Sequence, residues 1–204
     1  MPPDPAGSPA RIAALLLAGG SSSRLGTNKL LVELGGEPLI RRAARRALAA
    51  GLDPVIAVLG HEAKRIRGAL QGLPVTLVGN PRHAEGMPAS VHAGLAAVPD
   101  NCAAAMVLLP DMPLVTAPML SELAARFRAT GTPLVISLYG ETAAPPTLYA
   151  RALFPALLAA AEGGRQAVGE HRHLAAEVRW PAELMMDLDV PEDLERLRAM
   201  EAGG

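Results

Sequence analysis

The sequence has 204 residues, a length that suits one domain or one domain with a modest extension. Half of the residues are hydrophobic, which is enough for a substantial core and argues against a chain that is disordered throughout. Only 2 % are aromatic and the formal net charge at pH 7 is −1, which argues against a nucleic-acid-binding protein and against a protein that binds membrane surfaces.

Three further features bear on domain organisation, location and metal binding. Residues 1–10 are rich in proline, so we expect a flexible tail followed by a single domain over residues 11–200. No apolar run reaches the roughly 18 to 20 residues that cross a bilayer. The single cysteine, Cys102, argues against a disulfide framework and a cysteine zinc site. The sequence therefore predicts a cytoplasmic protein.

Short aliphatic runs alternate with helical patterns along the chain, an order typical of an α/β fold with a mostly parallel sheet. The predicted strands are Ile12–Ala18, Val55–Leu59, Val75–Val78, Ala104–Leu109 and Leu134–Leu138. The predicted helices are Leu39–Ala50, Glu62–Leu70, Ser90–Ala97 and Ala117–Ala129. The arginine-rich stretch "RRAARR" (41–46) falls on the first of these helices, where we expect it to face solvent.

Beyond residue 138 the pattern changes. A short strand is followed by a helix from about Arg151, and a final helix starts near Pro191. Ligands bind beyond the carboxyl ends of the strands in open α/β sheets. We interpret residues 139–186 as an insertion that covers this edge of the sheet.

The first predicted strand leads into the loop "GGSSSRLGTNK" (19–29). Gly19 and Gly20 lack a Cβ atom, so a ligand can approach their backbone N–H groups closely. Three serines follow, and Arg24 and Lys29 add two positive charges. Such donors and cations suit a polyphosphate, and a mobile surface turn with two solvated charges is the alternative. Neither the P-loop motif nor the dinucleotide-binding G-x-G-x-x-G motif fits this loop.

Three aspartates follow apolar runs elsewhere in the chain. Asp111 comes just after the fourth predicted strand, and Asp187 and Asp189 end the run in "MMDLDV". Together they suit a hard cation such as Mg²⁺, which proteins hold with one or two carboxylates and substrate phosphates. The alternatives are a turn-capping role for Asp111 and a helix N-cap role for Asp189, and the latter is compatible with metal binding.

Four stretches, in this order, resemble signatures of the nucleotidyltransferases that load a nucleotide onto molybdopterin. "LAGGSSSRLGTNKLL" (17–31) resembles L-A-x-G-x-S-x-R-x-G-x-x-K, which sugar-phosphate and methylerythritol-phosphate nucleotidyltransferases share more loosely. "GNPRHAEGMPASVHAGL" (79–95) resembles N-P-x-x-x-x-G-M-x-x-S-x-x-x-G-L, and "LLPDMPLV" (108–115) and "DLDVPEDL" (187–194) are similar to the remaining two. The resemblance covers about residues 11–199. It implies a Rossmann-like sheet of the nucleotide-diphospho-sugar transferase type, with helices on both faces.

The resemblance also implies a role for each matching residue. The residues implied to bind the nucleotide are Leu17, Ala18, Gly19, Gly20, Gly86 and Ser90. Arg24 and Lys29 would neutralise the triphosphate, and with Asp111 they are the implied catalytic residues. Asp111 and Asp189 would hold Mg²⁺, and the part of Asp187 as a third carboxylate is left open.

The implied reaction joins a nucleotide to molybdopterin for the molybdenum cofactor. A phosphate oxygen of molybdopterin attacks the α-phosphorus of a nucleoside triphosphate and pyrophosphate leaves, so catalysis consists of alignment and charge stabilisation. Ala18-Gly19-Gly20 tends to accompany GTP in this family, whereas "GMPAS" and "DLDVPEDL" are more similar to the cytidylyl branch. We therefore favour CTP and keep GTP open. A molybdoenzyme that receives the product is the implied protein partner.

The resemblance implies that residues 139–186 lie on the side of the phosphate acceptor, and two departures from the family pattern fall in this segment. Ala144-Pro145-Pro146 stands where many members have G-H-P, and "AEGGRQ" (161–166) displaces Arg165 by one position relative to G-D-x-G-A-R. A sugar phosphate or methylerythritol phosphate therefore stays open as the acceptor. A non-catalytic nucleotide sensor or chaperone for a molybdoenzyme is a further alternative, although pure binding would not require this full set of cations and carboxylates.

Overall fold

The strands at the centre of the fold consist of aliphatic residues that are buried on both faces. The computed structural model describes residues 9–20, 28–161 and 163–202. The strands are β1 (Ile12–Ala18), β2 (Glu33–Leu34), β3 (Glu37–Pro38), β4 (Val55–Leu59), β5 (Val75–Gly79), β6 (Ala104–Leu108), β7 (Leu134–Tyr139), β8 (Thr142–Ala150) and β9 (Ala175–Trp180). Every residue of β1, β4 and β6 is buried, as is typical of parallel strands covered by helices.

The main sheet has the strand order β5-β4-β1-β6-β8-β7-β9. Neighbouring strands pair in parallel except β8, which is antiparallel to both β6 and β7. The prediction of a mostly parallel α/β sheet is therefore confirmed. β2 and β3 form a separate antiparallel pair just before the first helix.

Helices cover both faces of this sheet. They are α1 (Leu39–Ala49), α2 (Ala63–Ala69), α3 (Met87–Ala96), α4 (Ala117–Thr130), α5 (Phe154–Ala159), α6 (Gly164–His171) and α7 (Pro191–Ala202). Alternate β1 residues belong to different clusters, because successive side chains of a strand point to opposite faces. Leu16 packs in the cluster that contains residues of α1, α2 and α4, whereas Leu15 packs in the cluster that contains residues of α3, α5 and α6.

The elements predicted between residues 12 and 138 are confirmed, with ends that differ by no more than three residues. The largest difference is at α3, which begins at Met87 rather than Ser90 because Pro88 occupies the first turn, where proline is tolerated. The predicted last helix is also confirmed as α7, which begins at Pro191.

Residues 139–186, predicted to cover one edge of the sheet, contribute strands to the sheet itself. β8 lies inside the sheet between β6 and β7, and β9 pairs in parallel with β7 at the edge. Helices α5 and α6 lie between these two strands in the chain. The position of this segment relative to a phosphate acceptor stays a prediction.

The arginines of α1 differ from the prediction of a solvent-facing row. Arg41 donates to the backbone carbonyls of Ala69 and Gln71, so its guanidinium contacts the C-terminal end of α2. Arg42 and Arg46 likewise donate to backbone carbonyls, and of the four arginines Arg45 has the exposed side chain. Among the helices that the structure describes, none combines the length and hydropathy that a membrane crossing requires.

Candidate active site

A pocket of about 290 Å³ lies beyond the carboxyl end of β1. Its lining includes Leu17, Gly19, Gly20, Lys29, Leu30, His83, Gly86, Met87, Ser90, Leu109 and Asp111. These residues come from the end of β1, the segment around Lys29, the turn before α3, the start of α3 and the segment after β6. Three of the four predicted signatures therefore meet at one edge of the sheet, where α/β folds bind ligands.

Two glycines at the ends of neighbouring strands have other groups close to their backbone. A Cβ atom on Gly19 would lie 3.0 Å from the Ser90 Oγ atom, a tight contact. A Cβ atom on Gly60, which follows β4 and lies next to Gly19, would lie 2.5 Å from the His83 Cβ atom and 2.7 Å from the Gly19 carbonyl oxygen. Among the residues that the structure describes, none has a heavy atom within 4 Å of the corresponding position on Gly20, which lines the pocket.

The start of α3 is fixed by a buried asparagine. Asn80 donates from Nδ2 to the Ser90 Oγ atom at 3.2 Å, and its Oδ1 accepts from the Arg82 backbone N–H at 3.0 Å. The Asn80 backbone N–H donates to the Leu59 carbonyl at 2.7 Å, which attaches this turn to the end of β4. Gly86 precedes the helix at a φ of +100°, a conformation that favours glycine. Ser90 is thereby held against Gly19.

Three charged residues from distant parts of the chain meet on the other side of the pocket. Lys29 belongs to a short 3-10 helix, Lys29–Leu31, and Asp111 lies just after β6. The Lys29 Nζ atom is 2.5 Å from Asp111 Oδ2 and 2.8 Å from Asp189 Oδ1. Two carboxylates therefore converge on one cationic position beside the glycine-rich end of β1.

A small apolar cluster explains why these segments meet. Leu34, Leu39, Met186, Leu188 and Leu197 are buried together, and Leu114 packs partly against them. Each lies a few residues from one of the charged groups or belongs to α1 or α7. Burial of one such side chain stabilises the fold by about 1.5–3 kcal/mol, so packing of the neighbours is sufficient to bring the charges together.

Backbone hydrogen bonds fix the two carboxylate segments more closely. The Leu188 N–H donates to the Asp111 carbonyl at 2.9 Å, which joins the segment after β6 to the segment before α7. Asp193 Oδ2 accepts from the backbone N–H groups of Asp189 and Val190, each at 3.0 Å. Asp193 thus holds the backbone of Asp189 in place from the first turn of α7.

The charges of this cluster affect one another. Burial lowers the pKa of the Lys29 ammonium, but hydrogen bonds and attraction from Asp111 and Asp189 outweigh it, so the pKa lies above its ordinary value. Partial desolvation and the charges of Asp111 and Asp189 raise the pKa of Asp187, although its side chain stays accessible to solvent. The backbone N–H groups of Asp189 and Val190 lower the pKa of Asp193.

The donor set suits a hard divalent cation. The carboxylate oxygens of Asp111 and Asp189 both lie within 2.8 Å of the Lys29 ammonium, so they already face a common cation. Within the described ranges, no three His, Cys, Asp or Glu side chains are grouped closely enough to hold a metal ion by themselves. One or two carboxylates completed by substrate oxygens is the arrangement that Mg²⁺ uses with phosphate substrates.

The predicted site residues divide into those at the pocket and those elsewhere. The pocket brings together Leu17, Gly19, Gly20, Lys29, Gly86, Ser90 and Asp111, and Asp189 reaches it through Lys29. Ala18 is fully buried in β1 and does not line the pocket. Arg24 lies outside the described residues, so its role stays a prediction.

Sequence reasoning missed several residues that shape the site. Asn80 and His83 lie inside the second signature, but only the three-dimensional contacts assign them a place beside Ser90 and Gly60. Met87 lines the pocket with 51 % of its surface exposed. The position of Asn80 in the signature was the one available signal, because a residue type that caps turns stood beside a proline.

The fold and the pocket match a known protein family. The family model described as "MobA-like NTP transferase domain" matches residues 14–178, and the chain belongs to that family. The match includes most of β1, the pocket and Asp111, and it ends before the segment that carries Asp189. The resemblance to the molybdopterin nucleotidyltransferase family is confirmed.

Individual relatives differ in what they are described as. "Bifunctional protein GlmU" of Kineococcus radiotolerans is 33 % identical over 147 residues, which are 71 % of this chain and 30 % of that protein. "Probable molybdenum cofactor guanylyltransferase" of Natronomonas pharaonis is 34 % identical over 110 residues, 53 % of this chain and 54 % of that protein. In three GlmU proteins that the chain matches, the match spans 26–30 % of their length.

Solved structures show the same fold. Rv0371c from Mycobacterium tuberculosis superposes with a TM-score of 0.81 at 26 % identity, covering 94 % of this chain and 100 % of that chain. "Molybdopterin-guanine dinucleotide biosynthesis protein A" from Archaeoglobus fulgidus has a TM-score of 0.69 at 20 % identity, with 94 % and 100 % covered. At the latter identity the similarity shows the fold alone.

Proposed function

We propose that this nucleotidyltransferase joins a nucleotide, CMP from CTP in preference to GMP from GTP, to molybdopterin with the aid of Mg²⁺. The observation that carries the proposal is the convergence of Lys29, Asp111 and Asp189 beside the glycine-rich end of β1. A pure binding protein would not need two carboxylates directed at one cation next to this pocket. The sensor or chaperone alternative is therefore disfavoured.

The chain's own residues account for binding and orientation. Gly20 leaves room for the nucleotide to approach the backbone, Gly19 allows Ser90 to lie close to it, and Ser90 and Gly86 border the position proposed for the base. Lys29, with Arg24 from the family motif, would neutralise the triphosphate. The acceptor oxygen forms a bond to the α-phosphorus while the bond to the β-phosphate oxygen breaks, and pyrophosphate leaves with that electron pair.

Asp111 and Asp189 would hold the divalent cation, with Asp187 as a candidate third carboxylate. When bound, such a cation supplies charge stabilisation for the phosphate oxygens, an effect of several kcal/mol of barrier. Rv0371c from Mycobacterium tuberculosis has also been solved as a complex with manganese, with a TM-score of 0.71 and 24 % identity. That protein's metal supports the proposal for this chain.

The acceptor is proposed from the Natronomonas pharaonis relative. That relative is described as a probable molybdenum cofactor guanylyltransferase. We assign the acceptor side to residues 139–186, because a Cβ atom on Gly163 would lie 3.3 Å from Pro88 at the start of α3, next to the pocket. A cytoplasmic location and transfer of the product to a molybdoenzyme belong to the same proposal.

A second candidate acceptor is a sugar phosphate or methylerythritol phosphate. It is favoured by Ala144-Pro145-Pro146 in place of G-H-P, and the GlmU proteins, of which one matches 71 % of this chain, are not described as molybdopterin proteins. A panel of acceptors separates the candidates: pyrophosphate release is measured with Mg²⁺, each of CTP, GTP, ATP and UTP, and molybdopterin or one of the other phosphates. Release that depends on molybdopterin supports the proposal, and release only with a sugar phosphate replaces it.

A further inference from the structure

Two arginines on α1 contact the segments that carry the charged residues of the site. The side chain of Arg46 donates from Nη1 to the carbonyl oxygen of Pro113 at 2.7 Å. One turn earlier, Arg42 donates from Nη1 to the carbonyl oxygen of Leu34, also at 2.7 Å. Both contacts are partly buried, and residues four apart on a helix lie on the same face.

The Pro113 carbonyl lies two residues beyond Asp111. The segment between β6 and α4 also contains two turns of its own, in which Met112 N–H donates to the Leu109 carbonyl and Val115 N–H to the Met112 carbonyl. On one side the Asp111 carbonyl accepts from Leu188 N–H. Arg46 supplies an attachment from α1 on the other side, so the Asp111 backbone is held between two independent supports.

Arg42 contacts the segment that follows Lys29, on the other side of the ion pairs. Leu34 belongs to the short hairpin that follows the Lys29 helix, and it is buried in the apolar cluster with Leu39 and Leu188. Because Arg42 and Arg46 share one helix face, α1 fixes the distance between the Lys29 segment and the Asp111 segment. The guanidinium of Arg46 lies beside a cavity of only about 20 Å³, room for roughly one water molecule.

We propose that Arg46 is a positioning residue for the reaction, which holds the Asp111 carboxylate in place through the Pro113 carbonyl. The inference rests on the proposed function, because it assigns Arg46 to the metal-binding carboxylates of that site. Groups that orient metal ligands typically change metal affinity or activity by about 10- to 100-fold when they are removed. A guanidinium suits this task because its planar donors keep a fixed geometry.

Two variants on the same helix form a matched pair for the test. Arg46→Met removes the donor and fills the space of the side chain, whereas Arg45→Met removes an arginine that is 64 % exposed and pairs with Glu37. Binding of Mn²⁺ in the presence of a non-hydrolysable CTP or GTP analogue is followed by electron paramagnetic resonance at a temperature where both variants are folded. We expect Arg46→Met to weaken Mn²⁺ binding about 10-fold and to lower kcat more than it raises KM, with Arg45→Met like the wild type.

Further variants keep the test decisive. Arg46→Lys retains a cationic donor and is expected to recover part of the Mn²⁺ affinity, which a role in stability alone would not require. If Arg46→Met does not fold, Arg46→Gln replaces it as the neutral variant. Equal Mn²⁺ binding and equal kcat in the folded neutral variant and Arg45→Met overturn the inference while the wild type remains active. A wild type that neither binds Mn²⁺ with nucleotide nor releases pyrophosphate overturns the proposed function instead.

Discussion

The close contact at Gly60 gives a sharp prediction, since this residue lies outside the motifs that suggested the function. Replacement by alanine places a Cβ atom 2.5 Å from the His83 Cβ atom and 2.7 Å from the Gly19 carbonyl oxygen. Neither neighbour is free to move. The Gly19 carbonyl accepts from the His61 N–H, and the His83 N–H donates to the Asn80 carbonyl. The backbone beside the nucleotide pocket must therefore shift.

The size of the effect follows from the cost of overpacking. An extra methyl group in a tightly packed site destabilises a protein by about 1–3 kcal/mol. For a domain of this size that corresponds to a fall in melting temperature of roughly 2–12 °C. Because the displaced groups are Gly19 and His83, which line the pocket, Gly60→Ala is expected to weaken nucleotide binding as well as the fold.

Gly68→Ala is the matched control. Gly68 lies within α2, where no heavy atom comes within 4 Å of a Cβ atom at that position. Alanine there should stabilise the helix by about 0.5–1 kcal/mol. Calorimetric melting temperatures and titration with CTP and GTP are compared for the two variants. A Gly60→Ala protein with the stability and nucleotide affinity of the wild type would refute the packing argument.

Three more predictions concern the charged side of the site. Asp111→Asn should raise the barrier of the reaction by about 3–4 kcal/mol, the scale of one lost electrostatic contact, and so lower turnover. Its melting temperature should stay close to that of the wild type, and full activity in the pyrophosphate assay would contradict the prediction. Lys29→Met removes the ammonium that pairs with Asp111 and Asp189. Mg²⁺ should therefore raise the melting temperature of this variant more than that of the wild type. Equal shifts in the two proteins would contradict the proposal that Mg²⁺ and the Lys29 ammonium bind at the same position. Asp193→Ala should destabilise the protein at pH 7 and by less near pH 3. The pKa of Asp193 is lowered in the folded protein, so its contribution to stability is present above the ordinary pKa of 3.8 and is lost as the pH falls. The free energy of unfolding of wild type and variant is measured in urea at both pH values. The same difference between the two proteins at pH 7 and pH 3 would contradict the prediction.

The sequence predicted the parallel half of the sheet well because local and global signals agree there. β1, β4 and β6 are uninterrupted aliphatic runs, and α1 has buried apolar residues at helical spacing, Ile40, Ala44 and Ala47. β8 was harder to predict because Pro145 and Pro146 lie within it, and proline within a run argues against a central strand. The register of β7 with β8 shifts between Ile136 and Ser137, which is where the irregularity is accommodated.

β9 and α6 carry weak local signals. In β9, Glu177 and Arg179 alternate with Ala176 and Val178, which is typical of a half-buried strand, but the alternating run is short. It is defined by pairing with β7, and such a long-range contact is not visible in a short window of sequence. The outer strand of the sheet was therefore missed.

The candidate site shows the same division between local and long-range information. The motifs identified Lys29, Asp111 and Asp189 individually, but the ion pairs between them depend on the packing of Leu34, Leu188 and their neighbours. The carbonyl contact of Arg46 was equally unpredictable, because a backbone acceptor 67 residues away leaves no pattern in the sequence.

Detection of the nucleotide-linked product tests the central claim most directly. Wild type and Asp189→Asn are incubated with Mg²⁺, molybdopterin and CTP or GTP, and the pterin product is analysed by mass spectrometry together with the pyrophosphate released. The account predicts one nucleotide added and one pyrophosphate released per molybdopterin in the wild type, with a large loss in Asp189→Asn. Equal product formation by both proteins, or no product with either nucleotide, would contradict it.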